Sequence, residues 1–233
     1  LKFRISGKLF LYPRVPEAGG EGLGELMVVR TLHFDRVIER AIGDVEQFVV
    51  LGAGYDTRAY GGFRSDGVRF FELDQANVQQ HKRQALAAAG IPSGHVTFVS
   101  VDFSTENAFD KLRTAGFDPS RKTFFLWEGV TLYLSETDVR RTIQDVRDNS
   151  ASGSVLLADI YADRFISVGK GRAMKKTLDY TDEALGFGLP FSADHAGVLR
   201  KFVESESMSL GEARFMGEKS DKGPFMVVVE MRT

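Results

Sequence analysis

The segment Gln47-Phe-Val-Val-Leu-Gly-Ala-Gly-Tyr-Asp-Thr-Arg58 constrains the fold of this chain more than any other. An apolar run, Phe48 to Leu51, ends in Gly52-Ala53-Gly54 and leads to Asp56 and Thr57, both good helix N-caps. A buried parallel strand passes into a helix across a glycine turn in this way. Two glycines let a ligand approach the backbone, and the N-terminus of the expected helix offers unpaired N–H groups. Nucleotide-containing cofactors bind at such turns. The next strand-like run, Val68-Arg-Phe-Phe-Glu-Leu-Asp74, places Asp74 twenty positions past Gly54. At that separation a βαβ unit brings a carboxylate to the ribose hydroxyls of a cofactor. Period 2 puts Glu72 and Asp74 on one face, so either could take the ribose. Asp74, nearer the strand's end, is assigned that role, with capping of the following helix as the plainer alternative.

A length of 233 residues suits one α/β domain, expected over 26–233, after a glycine-rich arm or lid over 1–25 that contains Pro13, Pro16 and Gly19-Gly-Glu-Gly-Leu-Gly24. A net charge of −2 with no lysine- or arginine-rich block argues against a nucleic-acid surface. No apolar run approaches the ~18 residues of a membrane span, and no secretory signal pattern opens the chain. Cysteine is absent, which excludes a disulfide framework and a thiol nucleophile and is compatible with a cytoplasmic location. His33, His81, His95 and His195 show no metal-ligand spacing, so no metal site is expected. The first residue is Leu1 instead of Met, which gives the expectation that an N-terminal piece is missing.

Along the chain, strand and helix patterns alternate. A helix is expected from Glu25 to Ala41, then strands ending at Leu51, Asp74, Val101, Trp127 and Ile160, with helices over Val78–Ala89, Thr105–Ala115 and behind the capping box Ser135-Glu-Thr-Asp138. An insertion with helical pieces is expected near 162–190. A short helix, Val198–Glu204, and two strands, Leu210–Met216 and Phe225–Met231, close the chain as an antiparallel hairpin. Alternating βα units make a mostly parallel sheet covered on both faces, with ligands at the carboxyl ends of its strands. Four successive strands end in Gly52 to Gly54, Asp74, Asp102 and Glu128, a set in register that points to a binding site.

These residues carry a resemblance. The strings Leu51-Gly-Ala-Gly-Tyr-Asp-Thr-Arg-Ala-Tyr60, Phe71-Glu-Leu-Asp74, Val101-Asp-Phe103 and Trp127-Glu-Gly-Val-Thr-Leu-Tyr-Leu134 resemble, in order, those of S-adenosyl-L-methionine-dependent methyltransferases related to leucine carboxyl methyltransferase. That group includes protein phosphatase methyltransferases and bacterial small-molecule O-methyltransferases. The resemblance covers roughly Arg30 to Asp159. It implies a Rossmann-like class I methyltransferase fold, with a seven-stranded sheet whose last strand is antiparallel, and S-adenosyl-L-methionine as cofactor. By motif position, Gly52, Ala53 and Gly54 would pass under the methionine part and Asp74 would hold the ribose. Asp102 and Phe103 would face the adenine. Glu128 would lie near the methionine amino group, and Arg30 would pair with its carboxylate. Plainer roles stand beside these: Arg30 as a solvated helix residue, Asp102 as a turn acceptor, Glu128 as a helix cap, Phe103 as core. The chain departs from the group at Gly61-Gly62, where many relatives carry arginine, and in lacking a recognisable basic segment before the Arg30 helix.

A carboxylate attacking a sulfonium methyl needs no general base, because a negative oxygen and a positive sulfur become two neutral products. Alignment of donor and acceptor can then supply about 7–11 kcal/mol. A phenol or alcohol would need a base. Substrate-side candidates are Tyr133, after the Glu128 motif, and Arg58, whose planar fork suits a carboxylate. Packing and loop anchoring are their plainer readings. His195 is the only histidine late enough in the chain to serve as a base over the site. The expected function is O-methylation of a carboxylate on a small molecule or peptide C-terminus. An NAD(P)-dependent dehydrogenase is the competing enzyme, but Thr57 takes the place of the third glycine. Its Tyr-x-x-x-Lys pair is also missing: Tyr133 is followed by Thr137 and Tyr161 by Phe165. A cofactor-binding but inactive regulatory module is the non-enzyme alternative.

Overall fold

The computed structural model describes residues 23–65, 67–103, 105–169, 185–217 and 222–233. The expected arm up to residue 22 and the middle of the expected insertion, 170–184, lie outside the described residues. The first helix, α1 (Leu23–Ala41), starts two residues before the expected position and runs to Ala41. The strands are β1 (Gln47–Leu51), β2 (Arg69–Asp74), β3 (Val96–Ser100), β4 (Thr123–Trp127), β5 (Val155–Tyr161), β6 (Ser209–Met216) and β7 (Met226–Arg232). Between them lie α2 (Ala76–Ala88), α3 (Ala108–Thr114), α4 (Glu136–Asp148), α5 (Asp163–Gly169) and α6 (His195–Ser205). None of the described helices is long and apolar enough to cross a membrane.

The strands form one sheet in the order β3-β2-β1-β4-β5-β7-β6, and only β7 runs against its neighbours. This is the expected mixed sheet with a closing antiparallel hairpin. All five residues of β1 and of β4 are buried, as a parallel sheet covered on both faces requires. Successive residues serve opposite layers. Val49, Leu51, Phe71, Phe125 and Trp127 pack on the side of α3, α4 and α6. Phe48, Val50, Phe70, Phe124 and Leu126 pack with Phe34, Val37 and Ile38 of α1. Phe48 and Phe124 stack with ring centroids 5.3 Å apart, which fixes the β1/β4 register beneath the strand tips. Local capping also follows the sequence: the Ser135 hydroxyl accepts the Asp138 N–H at 3.1 Å.

One expectation fails. No helix follows the glycine turn; the described residues of the β1–β2 connection contain only a single 3-10 turn, Arg58–Tyr60. Thr57 makes no capping hydrogen bond, and the Asp56 carboxylate accepts the Arg58 N–H at 2.8 Å and pairs with the Arg58 guanidinium. Gly61, Gly62 and Gly67 further weaken helix propensity over this stretch.

Without a helix to seat it, the glycine turn is held from below by side chains. Lys82 of α2 and Glu72 of β2 form a buried ion pair at 2.6 Å, and Lys82 Nζ also donates to the Ala53 carbonyl at 3.4 Å. The Tyr60 ring lies 5.4 Å from that ammonium. Gly52, at φ +69°, sits so close to Val130 that an added Cβ would stand 2.6 Å from its Cγ2.

Burial pushes the Glu72 carboxyl up to about 7, against the pull of Lys82. The folded state therefore binds this proton more tightly than the unfolded chain. The resulting stability is fully present below the ordinary glutamate range and is lost as pH rises through about 7. Urea unfolding of the wild type from acid to neutral pH should show a fall, at most about 3 kcal/mol, that the Glu72→Gln/Lys82→Met variant lacks. Parallel pH profiles for the two proteins would refute this.

Candidate active site

At the carboxyl ends of β1 and β4 lies a cavity of about 760 Å³, floored by Val50 and Leu126 and bordered by the glycine turn and α1. It sits where an open α/β sheet changes direction, since β1 is flanked by β2 on one side and β4 on the other. Gly54, at φ +39°, faces open space: a Cβ there would meet nothing within 4 Å.

An ion network surrounds the cavity. Arg30 projects from α1, with Nη2 3.0 Å from Glu128 Oε1 and Nη1 3.1 Å from Asp159 Oδ2. Arg30 Nη1 also donates to the Tyr161 hydroxyl at 2.7 Å, while its buried Nε has no hydrogen-bond partner. Arg58 donates through Nε to Asp35 at 2.6 Å, pairs with Asp56, and approaches Glu128 Oε2 at 2.7 Å as a charge contact without hydrogen-bond alignment. Glu128 thus stands between two guanidinium groups. Burial alone would lower the pKa of Arg58, but Asp56, Glu128 and Asp35 raise it above the ordinary arginine value. Burial pushes the Asp159 carboxyl up to about 6, opposed by Arg30 and by the Gly129 N–H.

Arg30, Gly52, Ala53, Gly54, Arg58 and Glu128 therefore come together around one cavity. Asp74 lies at the neighbouring tip of β2, outside that lining. It accepts the Gly54 N–H at 2.6 Å and the Gln75 N–H at 2.7 Å, so it fixes the glycine turn. Glu72, on the same strand face, is 1% exposed and tied to Lys82, which leaves Asp74 as the carboxylate at the strand end. Asp102 and Phe103 lie at the tip of β3, also outside the cavity lining. The Asp102 carbonyl accepts the N–H groups of Thr105 and Glu106, and Phe103 is half-buried against the core. Tyr133 belongs to the 3-10 turn Thr131–Tyr133 after β4, is 38% exposed and does not line the cavity. His195 is not brought to the site. It opens α6, its ring centroid 4.5 Å from that of Phe215 of β6 in an edge-to-face contact, at the far edge of the sheet.

Asp159, Tyr161, Asp35 and Asp56 join the network without having been read as site residues. Asp159 left a trace in the sequence, as a lone carboxylate inside the apolar run Val155-Leu-Leu-Ala-Asp-Ile-Tyr161, where an unpaired charge would be prohibitive. Asp35 left none, because a carboxylate on a helix face is usually solvated.

Comparison with known proteins bears on the family and the fold. The family model described as leucine carboxyl methyltransferase matches residues 13–147. A Parafrankia sp. (strain EAN1pec) protein named "Putative S-adenosyl-L-methionine-dependent methyltransferase" is 39% identical over 149 residues, covering 60% of this chain and 48% of its own length. A protein of the same name from Mycolicibacterium gilvum (strain PYR-GCK) is 36% identical over 170 residues, covering 71% of this chain and 55% of its own. The chain thus spans about half the length of the curated relatives it matches. Among solved structures, a Thermobifida fusca YX protein titled "putative methyltransferase" superposes with a TM-score of 0.60 at 19% identity, covering 92% of this chain and 84% of its own. Magnesium protoporphyrin IX methyltransferase from Synechocystis, solved with bound SAH, superposes with a TM-score of 0.51 at 13% identity, covering 95% and 92%. At these identities the two structures establish the fold. With its own motifs and the family match over more than half its length, the chain belongs to the leucine carboxyl methyltransferase family.

Proposed function

We propose that this chain is an S-adenosyl-L-methionine-dependent O-methyltransferase that esterifies a carboxylate on a small molecule or peptide C-terminus. The observation that carries the reading is the juxtaposition of Arg30 and Glu128 beside an open glycine turn. Neighbouring groups of opposite charge are complementary to an α-amino acid zwitterion, the end group of this cofactor. The residues present fit it: Arg30 has an unpartnered buried Nε at the cavity, and the backbone at Gly54 is uncovered. Arg30 would bind the carboxylate, Glu128 the ammonium and Asp74 the ribose diol. Gly52, Ala53 and Gly54 would underlie the methionine chain, with Asp102 and Phe103 toward the adenine. When bound, the cofactor supplies an electrophilic methyl group on a sulfonium.

The same geometry disfavours a dinucleotide. A pyrophosphate calls for a helix N-terminus and an excess of donors, whereas the glycine turn here leads into no helix and faces Glu128, Asp56 and Asp35. For the acceptor, the support is the absence of a base among the described lining residues. The cavity carries no histidine or lysine, and its carboxylates, Asp35, Asp56 and Glu128, are each engaged by an arginine, so none stands free to take a proton from an acceptor. An acceptor already ionised at neutral pH, a carboxylate, needs none. Tyr133 and Arg58 keep the roles of substrate-side candidates, Arg58 with its Nε and Nη1 committed to carboxylates.

Two experiments test this reading. Calorimetry with S-adenosylhomocysteine should show binding that weakens about 10- to 100-fold in Asp74→Ala, the equivalent of one lost charged hydrogen bond of about 1.5–3 kcal/mol. Binding of NAD in its place would sink the assignment. A panel of monocarboxylates and short peptides should then yield methyl esters with a rate independent of pH from about 7 to 9. Turnover confined to phenols, rising with pH, would replace the carboxylate reading with a base-dependent one.

A further inference from the structure

Asp159 is an expensive residue to place where it is. It lies within β5 with no solvent exposure, and the reading above gives it no contact with the cofactor. Its two oxygens accept the Gly129 N–H at 2.9 and 3.1 Å, and Oδ2 also accepts from Arg30 Nη1 at 3.1 Å and from the Tyr161 hydroxyl at 3.2 Å. The groups that face it are Arg30 from α1, Glu128 and Gly129 from the turn after β4, and Tyr161 from β5 itself. It therefore sets both partners of the zwitterion site, the guanidinium of Arg30 directly and Glu128 through the backbone of Gly129. Gly129 is held at φ +72°, 3.8 Å from the Arg30 nitrogens at its Cβ position.

Its charge has a second effect. Among the described residues of the network, two guanidinium groups, Arg30 and Arg58, stand against four carboxylates, Asp35, Asp56, Glu128 and Asp159. The surplus is negative. Arg30 is 15% exposed and Asp159 wholly buried, so solvent and salt screen it weakly. The zwitterionic end of the ligand is neutral and leaves this surplus unchanged. The methyl donor carries one further positive charge at sulfur, and its thioether product carries none.

We propose that Asp159 is a positioning residue that, acting through Arg30, biases the site toward the cationic methyl donor over its neutral thioether product. The inference rests on the methyltransferase reading but makes a separate demand on the data. A merely structural support would affect both ligands alike, whereas a charge bias changes their ratio.

The test is calorimetric titration of the wild type, Asp159→Asn and Tyr161→Phe with S-adenosylmethionine and with S-adenosylhomocysteine, from about pH 5 to 8. Asparagine keeps the shape and a carbonyl acceptor but removes the charge. At the upper end of the range, Asp159→Asn should move the ratio of the two dissociation constants toward the product, on the order of three- to thirtyfold. In the wild type the ratio should drift the same way as pH falls through about 6, where the Asp159 carboxyl takes up its proton. That drift should vanish in Asp159→Asn and move to higher pH in Tyr161→Phe, whose lost hydroxyl no longer favours the ionised form. The wild-type and Tyr161→Phe profiles decide the matter even if Asp159→Asn fails to fold. Equal loss of both ligands, or a ratio that ignores pH, would overturn the inference and leave the methyltransferase assignment standing. Binding of neither ligand by the wild type would remove both.

Discussion

The shared carboxylate of Glu128 ties the candidate site together. It stands at the end of β4, with Arg30 of α1 on one oxygen and Arg58 of the β1–β2 connection on the other. Three segments far apart in sequence thereby meet at one point. Such a network is weak evidence for stability, since removing each ion from water costs several kcal/mol that mutual attraction only offsets. Its effect is geometric. Removing either arginine would leave its carboxylates uncompensated, so the members constrain one another's position more than they strengthen the fold.

The sheet makes that meeting possible. Parallel pairing of β1 with both β2 and β4 aligns the three strand ends, and the burial of every β1 and β4 residue fixes their register. A register slip by one residue would turn Val50 and Leu126 away from the α1 side of the core and break both layers. Rigid strands then deliver short side chains, Asp74 and Glu128, to set positions without relying on flexible loops. The glycine turn, which lacks a helix behind it, takes its own rigidity from charge: Asp74 on the Gly54 N–H from one side, Lys82 on the Ala53 carbonyl from the other.

The parts of the fold that were legible in the sequence were those written in local periodicity. The strands and the capped α4 helix stand within a residue or two of where apolar runs and Ser135 placed them. The closing hairpin was legible because a glycine-bounded charged turn separates two strand-like runs. The helix after Gly54 was misread because Asp56 and Thr57 are good caps in isolation. Which partner a cap residue takes is a tertiary matter, and Arg58 took Asp56. The same limit applies at the site. Glycines and strand-end acids mark the cavity, but the assembly of Asp35, Asp56, Asp159 and Tyr161 around two arginines depends on packing between layers, which leaves no periodic signal.

The commitments of Arg58 bear on how an acceptor could be held. In the sequence its guanidinium looked suited to a substrate carboxylate. In the fold Asp35 occupies its Nε, and Asp56 and Glu128 crowd its Nη1. Turning Arg58 onto a substrate would strip Asp35 and Asp56 of their guanidinium partner and leave Glu128 with Arg30 alone. As it stands, Arg58 holds Glu128 and the β1–β2 connection in place, so a substrate carboxylate would have to compete with Asp35 and Asp56 for it. The rest of the cavity's border includes neutral surfaces, the exposed ring of Tyr55 and the open backbone at Gly62 beside Phe63.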